Sequence, residues 1–152
     1  MFWFFKKKTK KFRPEFDKKL IKRLQKDHIK LLNQVDKIET SCKKSNEKKV
    51  RKELQILKTL TLEHFIEEDL KLYWYLKTLY KDDVQTLEQI KYFEESIKDI
   101  QVFVINFLDQ YLKQAVLLES TFKNDFDKIV KALGNRIKTE EKSLYPLYKK
   151  IL

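Results

Sequence analysis

The chain has 152 residues, of which 38% are charged, and this length suffices for one domain that buries a substantial core. With one glycine and two prolines it lacks the turn residues that sheets and hairpins need, so we predict an all-α fold. The formal charge of +11 suggests an anionic partner, but the residues after position 14 contribute only +5, with lysines interleaved with acids, and we expect no nucleic-acid binding.

Residues 1–14 form a basic and aromatic N-terminal tail, which we separate from a domain at residues 15–152. The tail begins with the apolar run Met1–Phe5 and continues with six basic and no acidic residues. One interpretation is weak membrane contact, with aromatic rings in the interface and lysines against anionic lipid. The other is a lysine-rich terminus without this role. The run is shorter than the about 7 residues of a signal peptide, and no stretch of the chain reaches the roughly 18 apolar residues of a membrane span.

The first predicted helix covers about residues 15–42 and begins just after Pro14, a residue suited to a first helical turn. A polar stretch around Cys42 ends it. This lone cysteine has no partner for a disulfide or a CxxC site, which suggests a reducing, cytoplasmic location. The apolar stripe of the helix, with spacings of three and four, reads Leu20, Leu24, His28, Leu31, Leu32, Val35 and Ile38.

Two further helices are predicted at about residues 47–80 and 84–113. Ser45 or Asn46 can cap the first of these, and the acidic residues of Lys81–Asp83 can cap the second. The stripe of the second helix reads Val50, Leu54, Leu57, Thr61, His64, Glu68, Leu72, Tyr75 and Leu79, and that of the third reads Leu87, Ile90, Glu94, Ile97, Gln101, Val104, Leu108 and Tyr111.

A fourth helix is predicted after a break in the polar residues 119–124, and Pro146 should kink or end its last turn. Four helices joined by short loops bury their stripes most simply as an antiparallel up-down-up-down four-helix bundle. The inward face of the fourth helix reads Phe126, Ile129, Leu133, Arg136, Glu140, Leu144 and Leu147.

Among the polar residues within these stripes, four stand out as candidate ligands, namely His28, His64, Glu68 and Glu140, and they include both histidines of the chain. His64 and Glu68 lie four residues apart, so they share one face of their helix. Buried carboxylates without partners are costly, whereas two carboxylates and two neutral imidazoles around one divalent cation satisfy each other. The pattern therefore predicts a site for iron, manganese or zinc in the core.

Three segments of these helices resemble the hemerythrin-like (HHE) family in order and spacing: Asp27–Leu32, Glu63–Tyr73 and Arg136–Tyr148. The likeness extends over nearly all of residues 15–150. The resemblance implies a non-haem di-iron centre inside the bundle that binds dioxygen or related small ligands. It also implies that one iron is held by histidines of the first two helices together with shared carboxylates.

Matched residue by residue, the resemblance implies only one complete set of metal ligands. The second iron of the family takes histidines from the third and fourth helices, and this chain has no histidine after position 64. Arg136 stands where the fourth-helix histidine belongs, so we expect a degenerate second site. The ligands of the first metal are present as His28, His64, Glu68, and Glu140 or Glu141.

Three states of the core therefore remain open. A single metal can occupy the first set of ligands, or Glu67, Glu94 and Glu141 can supply a carboxylate-rich second site. In the third state no metal binds, and the Arg136 guanidinium neutralises Glu68 and Glu140.

The expected function is metal binding, with iron as one ion or a pair, or zinc, and with a small diatomic ligand. The protein would then sense or handle oxygen, nitric oxide or iron rather than carry oxygen reversibly. The alternative is a metal-free helical bundle that acts as a protein-interaction module. No Ser-His-Asp order and no phosphate-binding glycine loop occur, so we do not expect an enzyme.

Overall fold

The computed structural model describes residues 15–150, and every regular element in that range is helical. The elements form four rods, two of which change near their C-terminal ends to a π turn, in which hydrogen bonds join residues five apart. The first rod is α1 (Leu20–Lys43), and the third is α4 (Val84–Lys113). The second rod consists of α2 (Glu47–Glu67), the π turn π1 (Glu68–Tyr73) and α3 (Trp74–Leu79). The fourth rod consists of α5 (Ser120–Thr139), the π turn π2 (Glu140–Leu144) and a 3₁₀ turn (Tyr145–Leu147).

The four rods pack side by side around one core, with α1 against α2 and α5, and α4 against α2 and α5. Residues 44–46, 80–83 and 114–119 connect them. Connections this short make neighbouring helices antiparallel. The predicted all-α, up-down-up-down four-helix bundle is confirmed for the described residues.

The core is built from aliphatic side chains of all four rods. Each fully buried side chain of this kind stabilises the fold by about 1.5–3 kcal/mol relative to an exposed one, so burial of the stripes is the main term that holds the bundle together. The largest aliphatic side chains without exposed surface are Leu20, Leu24, Ile38, Leu54, Leu57, Leu72, Leu76 and Ile90.

Helix α1 begins at Leu20, and the prediction that it begins near residue 15 was wrong. The Asp17 carboxylate accepts a hydrogen bond from the Lys19 amide at 2.9 Å, and the Asp17 amide donates to the Tyr148 hydroxyl at 2.8 Å. These bonds hold the preceding residues in a turn. The second bond joins distant parts of the chain, so the local sequence does not reveal it.

The break before the fourth rod lies at residues 114–119, not at the predicted residues 119–124. Glu47, in the first turn of α2, fixes the break at this position. Its Oε1 accepts hydrogen bonds from the amides of Leu117 at 2.6 Å and Leu118 at 2.9 Å. The Leu117 side chain is fully buried. Helix α5 therefore begins earlier than predicted.

The predicted ends of the other helices are confirmed. Asn46 and Asp83 cap α2 and α4, each accepting a hydrogen bond from the backbone amide three residues on. Pro146 lies in the 3₁₀ turn that ends the fourth rod. One core assignment was wrong, because Leu32 is 40% exposed.

Within residues 15–150, no helix combines the length and the apolar character needed to cross a bilayer. The predicted tail, residues 1–14, lies outside the described residues, as do residues 151–152. Its membrane contact and its boundary with the domain stay predictions.

Candidate metal centre

Four polar side chains from three rods converge inside the bundle. His28 comes from α1 and His64 from the last turn of α2, whereas Glu68 and Glu140 are the first residues of π1 and π2. All four are at most 3% exposed. One nitrogen or oxygen atom of each lies within 4.8 Å of those of the others. The structure thus brings together the four candidate ligands predicted from the apolar stripes.

His64 lies between two carboxylates. Its Nδ1 is 3.1 Å from Asp27 Oδ2, and its Nε2 is 3.0 Å from Glu68 Oε1. Burial opposes protonation of this ring, but the interactions with the two acids outweigh burial and raise the pKa of His64 to about 9. In the metal-free protein, His64 is therefore a cation at neutral pH.

His28 has the opposite character. Burial, together with the charge of His64, whose ring centroid is 4.8 Å away, lowers the pKa of His28. Its Nε2 lies 3.1 Å from the Tyr145 hydroxyl and 3.9 Å from Glu140 Oε1. Its Nδ1 lies 3.4 Å from Glu141 Oε2. Neutral imidazole is the form that binds metal ions, so His28 is ready to act as a ligand.

Several buried polar atoms of the cluster have no hydrogen bond of acceptable geometry, namely His28 Nδ1, His64 Nε2, Glu68 Oε1 and Arg136 Nε. For the pair His64 Nε2 and Glu68 Oε1, the separation of 3.0 Å is short enough, so the angles exclude the bond. Buried polar atoms left in this state cost free energy. A cation shared by the imidazole and the carboxylate satisfies both atoms, and the donor set therefore fits a metal ion.

Arg136 is buried next to Glu140. Its Nε lies 3.3 Å from Glu140 Oε1, and its Nη2 donates to the Tyr73 hydroxyl. The expected interaction with Glu140 is therefore present, whereas Glu68 faces His64. A guanidinium thus provides one positive charge at the position where the resemblance implies a metal-binding histidine.

The two halves of the cluster correspond to each other at a separation of 72 residues in the sequence. Each half has a cationic residue, a glutamate four positions later that begins a π turn, and a tyrosine five positions after the glutamate. The halves differ mainly in the cationic residue, which is imidazole in one and guanidinium in the other. The corresponding pairs are His64 with Arg136, Glu68 with Glu140, and Tyr73 with Tyr145.

Tyr145 belongs to the cluster, and the sequence reasoning missed it. Its hydroxyl lies 3.1 Å from His28 Nε2, 3.2 Å from Glu68 Oε2 and 3.3 Å from Glu140 Oε2. In a regular α-helix, a residue five positions after Glu140 points about 140° away from it. Pro146, which disturbs the last turn, is the one signal in the sequence that the helical period fails here.

The three other predicted carboxylates lie at the edge of the cluster or outside it. Glu141 is 37% exposed and approaches only the histidine of α1. Glu67 pairs with Arg23 at 3.1 Å, and Glu94 pairs with Lys77 at 3.0 Å. Glu67 and Glu94 are not part of the group of four, so the structure does not bring together the carboxylate-rich second site.

A model of one protein family, described as the hemerythrin HHE cation binding domain, matches residues 19–148 of the chain. The matched range contains all four residues of the cluster as well as Arg136 and Tyr145. Neither the curated proteins nor the solved structures give a significant match.

Proposed function

Because the chain belongs to the hemerythrin HHE cation-binding family, we propose that it binds one metal ion through His28, His64, Glu68 and Glu140. The observation that carries this proposal is the convergence of four buried ligand atoms, several of which have no hydrogen-bond partner of acceptable geometry. A metal site is the arrangement in which such atoms are all satisfied.

We propose iron as the ion. Two imidazoles and two carboxylates suit iron, manganese and zinc alike, and the resemblance to hemerythrin-like proteins favours iron among them. When bound, iron supplies a centre that coordinates a small diatomic molecule. The role of the protein is then to sense or handle oxygen, nitric oxide or iron, by binding rather than by catalysis and in the cytoplasm.

Arg136 supports one ion rather than two. Arg136 stands where the resemblance implies a ligand of the second metal, so a second cation would meet the guanidinium itself, whose Nε is 3.3 Å from Glu140 Oε1, in place of an imidazole. Repulsion between these charges inside the core, where little solvent screens them, disfavours a second metal. Reversible oxygen carriage on an iron pair is therefore not what we propose.

A metal-free role remains the second candidate, because the cluster is electrically balanced without a metal. The carboxylates of Glu68 and Glu140 face the guanidinium of Arg136 and the protonated ring of His64. Each of these two buried carboxylates thus faces a cation, and the third acid near His64, Asp27, is 31% exposed to solvent. Such a core is compatible with a helical module that acts only through protein partners.

Metal analysis separates the two candidates. The protein is purified without chelator, loaded with ferrous iron under anaerobic conditions or with zinc, and desalted. We expect about one equivalent of metal per chain. Glu68→Gln should lose the metal, whereas Glu67→Gln, the same change at the adjacent glutamate that pairs with Arg23, should keep it.

Absence of metal after both loadings would leave the interaction module as the better account. Two equivalents of iron would contradict our interpretation of Arg136. Circular dichroism of each variant checks that a loss of metal does not reflect a loss of fold.

A further inference from the structure

We propose that the hydroxyl oxygen of Tyr145 is a fifth ligand of the ion, and that this donor makes the site selective for ferric iron. The inference rests on the proposed function, since it concerns the same ion. It adds a residue to the ligand set and assigns the oxidation state that the set prefers, which favours the iron and nitric oxide roles over oxygen, since dioxygen binds ferrous iron.

The position of the Tyr145 oxygen is that of a ligand beside other ligands. It lies 3.1, 3.2 and 3.3 Å from His28 Nε2, Glu68 Oε2 and Glu140 Oε2, which are atoms of three of the four proposed ligand residues. Atoms bound to one metal at about 2.1 Å, with angles between right-angled and tetrahedral, are about 3.0–3.4 Å apart. Hydroxyl hydrogen bonds to oxygen are usually shorter, at about 2.7–2.8 Å. The three separations therefore match neighbouring ligands better than they match optimal hydrogen bonds.

Hydrogen bonding alone does not explain why the hydroxyl faces three groups. The Tyr145 hydroxyl carries one hydrogen, and two of its neighbours are carboxylate oxygens that only accept. It can donate to one of them at a time, so the other oxygen faces an oxygen without a hydrogen between them. A cation removes this conflict because it attracts all of the oxygens.

The backbone is arranged to hold Tyr145 in this position. Its amide donates to the carbonyl of Glu140, five residues earlier, and this bond closes the turn π2. Residues joined in this way lie one above the other along the rod, so Tyr145 shares the inward face of Glu140. The side chain is 4% exposed. Water therefore offers the hydroxyl little alternative to the groups of the cluster.

Formal charges favour the ferric ion over a divalent one. Coordinated tyrosine is an anionic oxygen donor, and with Glu68 and Glu140 it gives three negative charges, which balance a trivalent cation. Of the charges nearby, Arg136 offsets Asp27, and Glu141 is 37% exposed and screened by solvent. A divalent ion is already balanced by Glu68 and Glu140, so loss of the Tyr145 proton beside it would leave one uncompensated negative charge inside the core, which is costly.

Tyr73 is the matched control, since it occupies the corresponding place in the other half of the cluster. It is buried, as Tyr145 is, but its hydroxyl accepts a hydrogen bond from Arg136 rather than facing His28 and the two glutamates. Replacement of either tyrosine by phenylalanine removes one oxygen atom and keeps the ring. A difference between the two variants therefore reports the position of the oxygen.

The test is the visible and resonance Raman spectrum of the protein loaded with ferrous iron and then oxidised with a stoichiometric amount of ferricyanide. We expect a charge-transfer absorption band whose excitation enhances vibrations of a metal-bound tyrosine ring. Tyr145→Phe should lose the band and bind ferric iron about 10- to 100-fold more weakly, with a smaller loss for zinc. Tyr73→Phe should keep the band.

Ring-deuterated tyrosine incorporated into the unmutated protein shifts these vibrations, so the assignment to tyrosine does not depend on a variant that folds. Iron that binds without the band, or a band that persists in Tyr145→Phe, would overturn the tyrosine ligand and leave the proposed function standing. A wild-type protein that takes up no metal would overturn both.

Discussion

Replacing Arg136 with methionine should destabilise the metal-free protein and strengthen its binding of a metal ion. Methionine has a similar length and no charge, so the change removes the guanidinium from Glu140 and Tyr73. Glu140 would then remain buried without the cation that now faces it. The ion, by contrast, supplies its own positive charge to the same carboxylate.

The size of the effect follows from the geometry of the pair. Arg136 is 5% exposed and Glu140 is 2% exposed, and the atoms Nε and Oε1 are 3.3 Å apart. At an effective dielectric constant of about 20, two unit charges at this distance attract by about 5 kcal/mol. Removing one partner of a buried pair costs about 3–5 kcal/mol. For a domain of this size, such a loss lowers the melting temperature by about 6–20 °C.

Urea unfolding followed by circular dichroism, with and without zinc, measures both effects, because zinc has no redox chemistry that would complicate the comparison. We expect zinc to stabilise Arg136→Met by about 2 kcal/mol more than it stabilises the wild type, which equals an affinity gain of about 30-fold. Arg136→Lys keeps the positive charge, so the stabilisation of this variant by zinc should lie between those of the wild type and of Arg136→Met. An equal loss of stability with and without zinc would refute the reasoning, since the ion would then not share Glu140 with Arg136.

Two further predictions concern pH. The Glu47 pKa is lowered because the amides of Leu118 and Leu117 donate to its carboxylate, so these two bonds should be fully formed above the ordinary value of 4.5 and weaken as pH falls through the lowered value. The protection of the two amides against hydrogen exchange should fall there, and Glu47→Ala, which has no acceptor, should lack that protection at every pH. The raised pKa of His64 predicts that its contribution to the stability of the metal-free protein is full below about pH 6.5 and is lost as pH rises through about 9. Metal affinity should rise over the same range, because the metal displaces a proton from His64. Free energies of unfolding, measured by urea titration with and without zinc, that do not change from pH 6 to about 10 would contradict both.

The sequence was sufficient to predict the bundle and the four residues of the cluster. The apolar stripes have a helical period, and a histidine or glutamate within such a stripe is expected to face the core, although Glu94 pairs with Lys77 instead. His28, His64, Glu68 and Glu140 are all in register with their stripes, and the structure buries all four. Their convergence then follows from the antiparallel packing of the rods.

The predictions that failed depend on contacts between distant parts of the chain. The start of α1 depends on Asp17 and Tyr148, and the loop before α5 depends on Glu47 and the amides of Leu117 and Leu118. Neither contact leaves a local signal, because each partner by itself is an ordinary polar residue. Reasoning from the period of a helix sees only neighbours three or four residues apart.

Tyr145 was missed for a different reason. The period of the helix itself changes between Glu140 and Leu144, and a pattern with a fixed period then assigns Tyr145 to the wrong face. The exposed Leu32 shows the same kind of error on a smaller scale, because an apolar residue next to the stripe was counted as part of it. The residue types were sufficient to suggest metal ligands, but the sequence did not show in which direction every side chain points.

Because of the turn π2, the geometry of the metal centre also depends on the number of residues in the fourth rod. Loss of a single residue there, for example the exposed Lys142, would restore the ordinary α-helical period and rotate every later side chain by about 100° around the rod. Tyr145 would then leave the cluster, although no ligand had been substituted. A related chain with every polar residue conserved but one position deleted in this turn would therefore bind its ion differently, and an alignment scored on residue identity would hardly register the change.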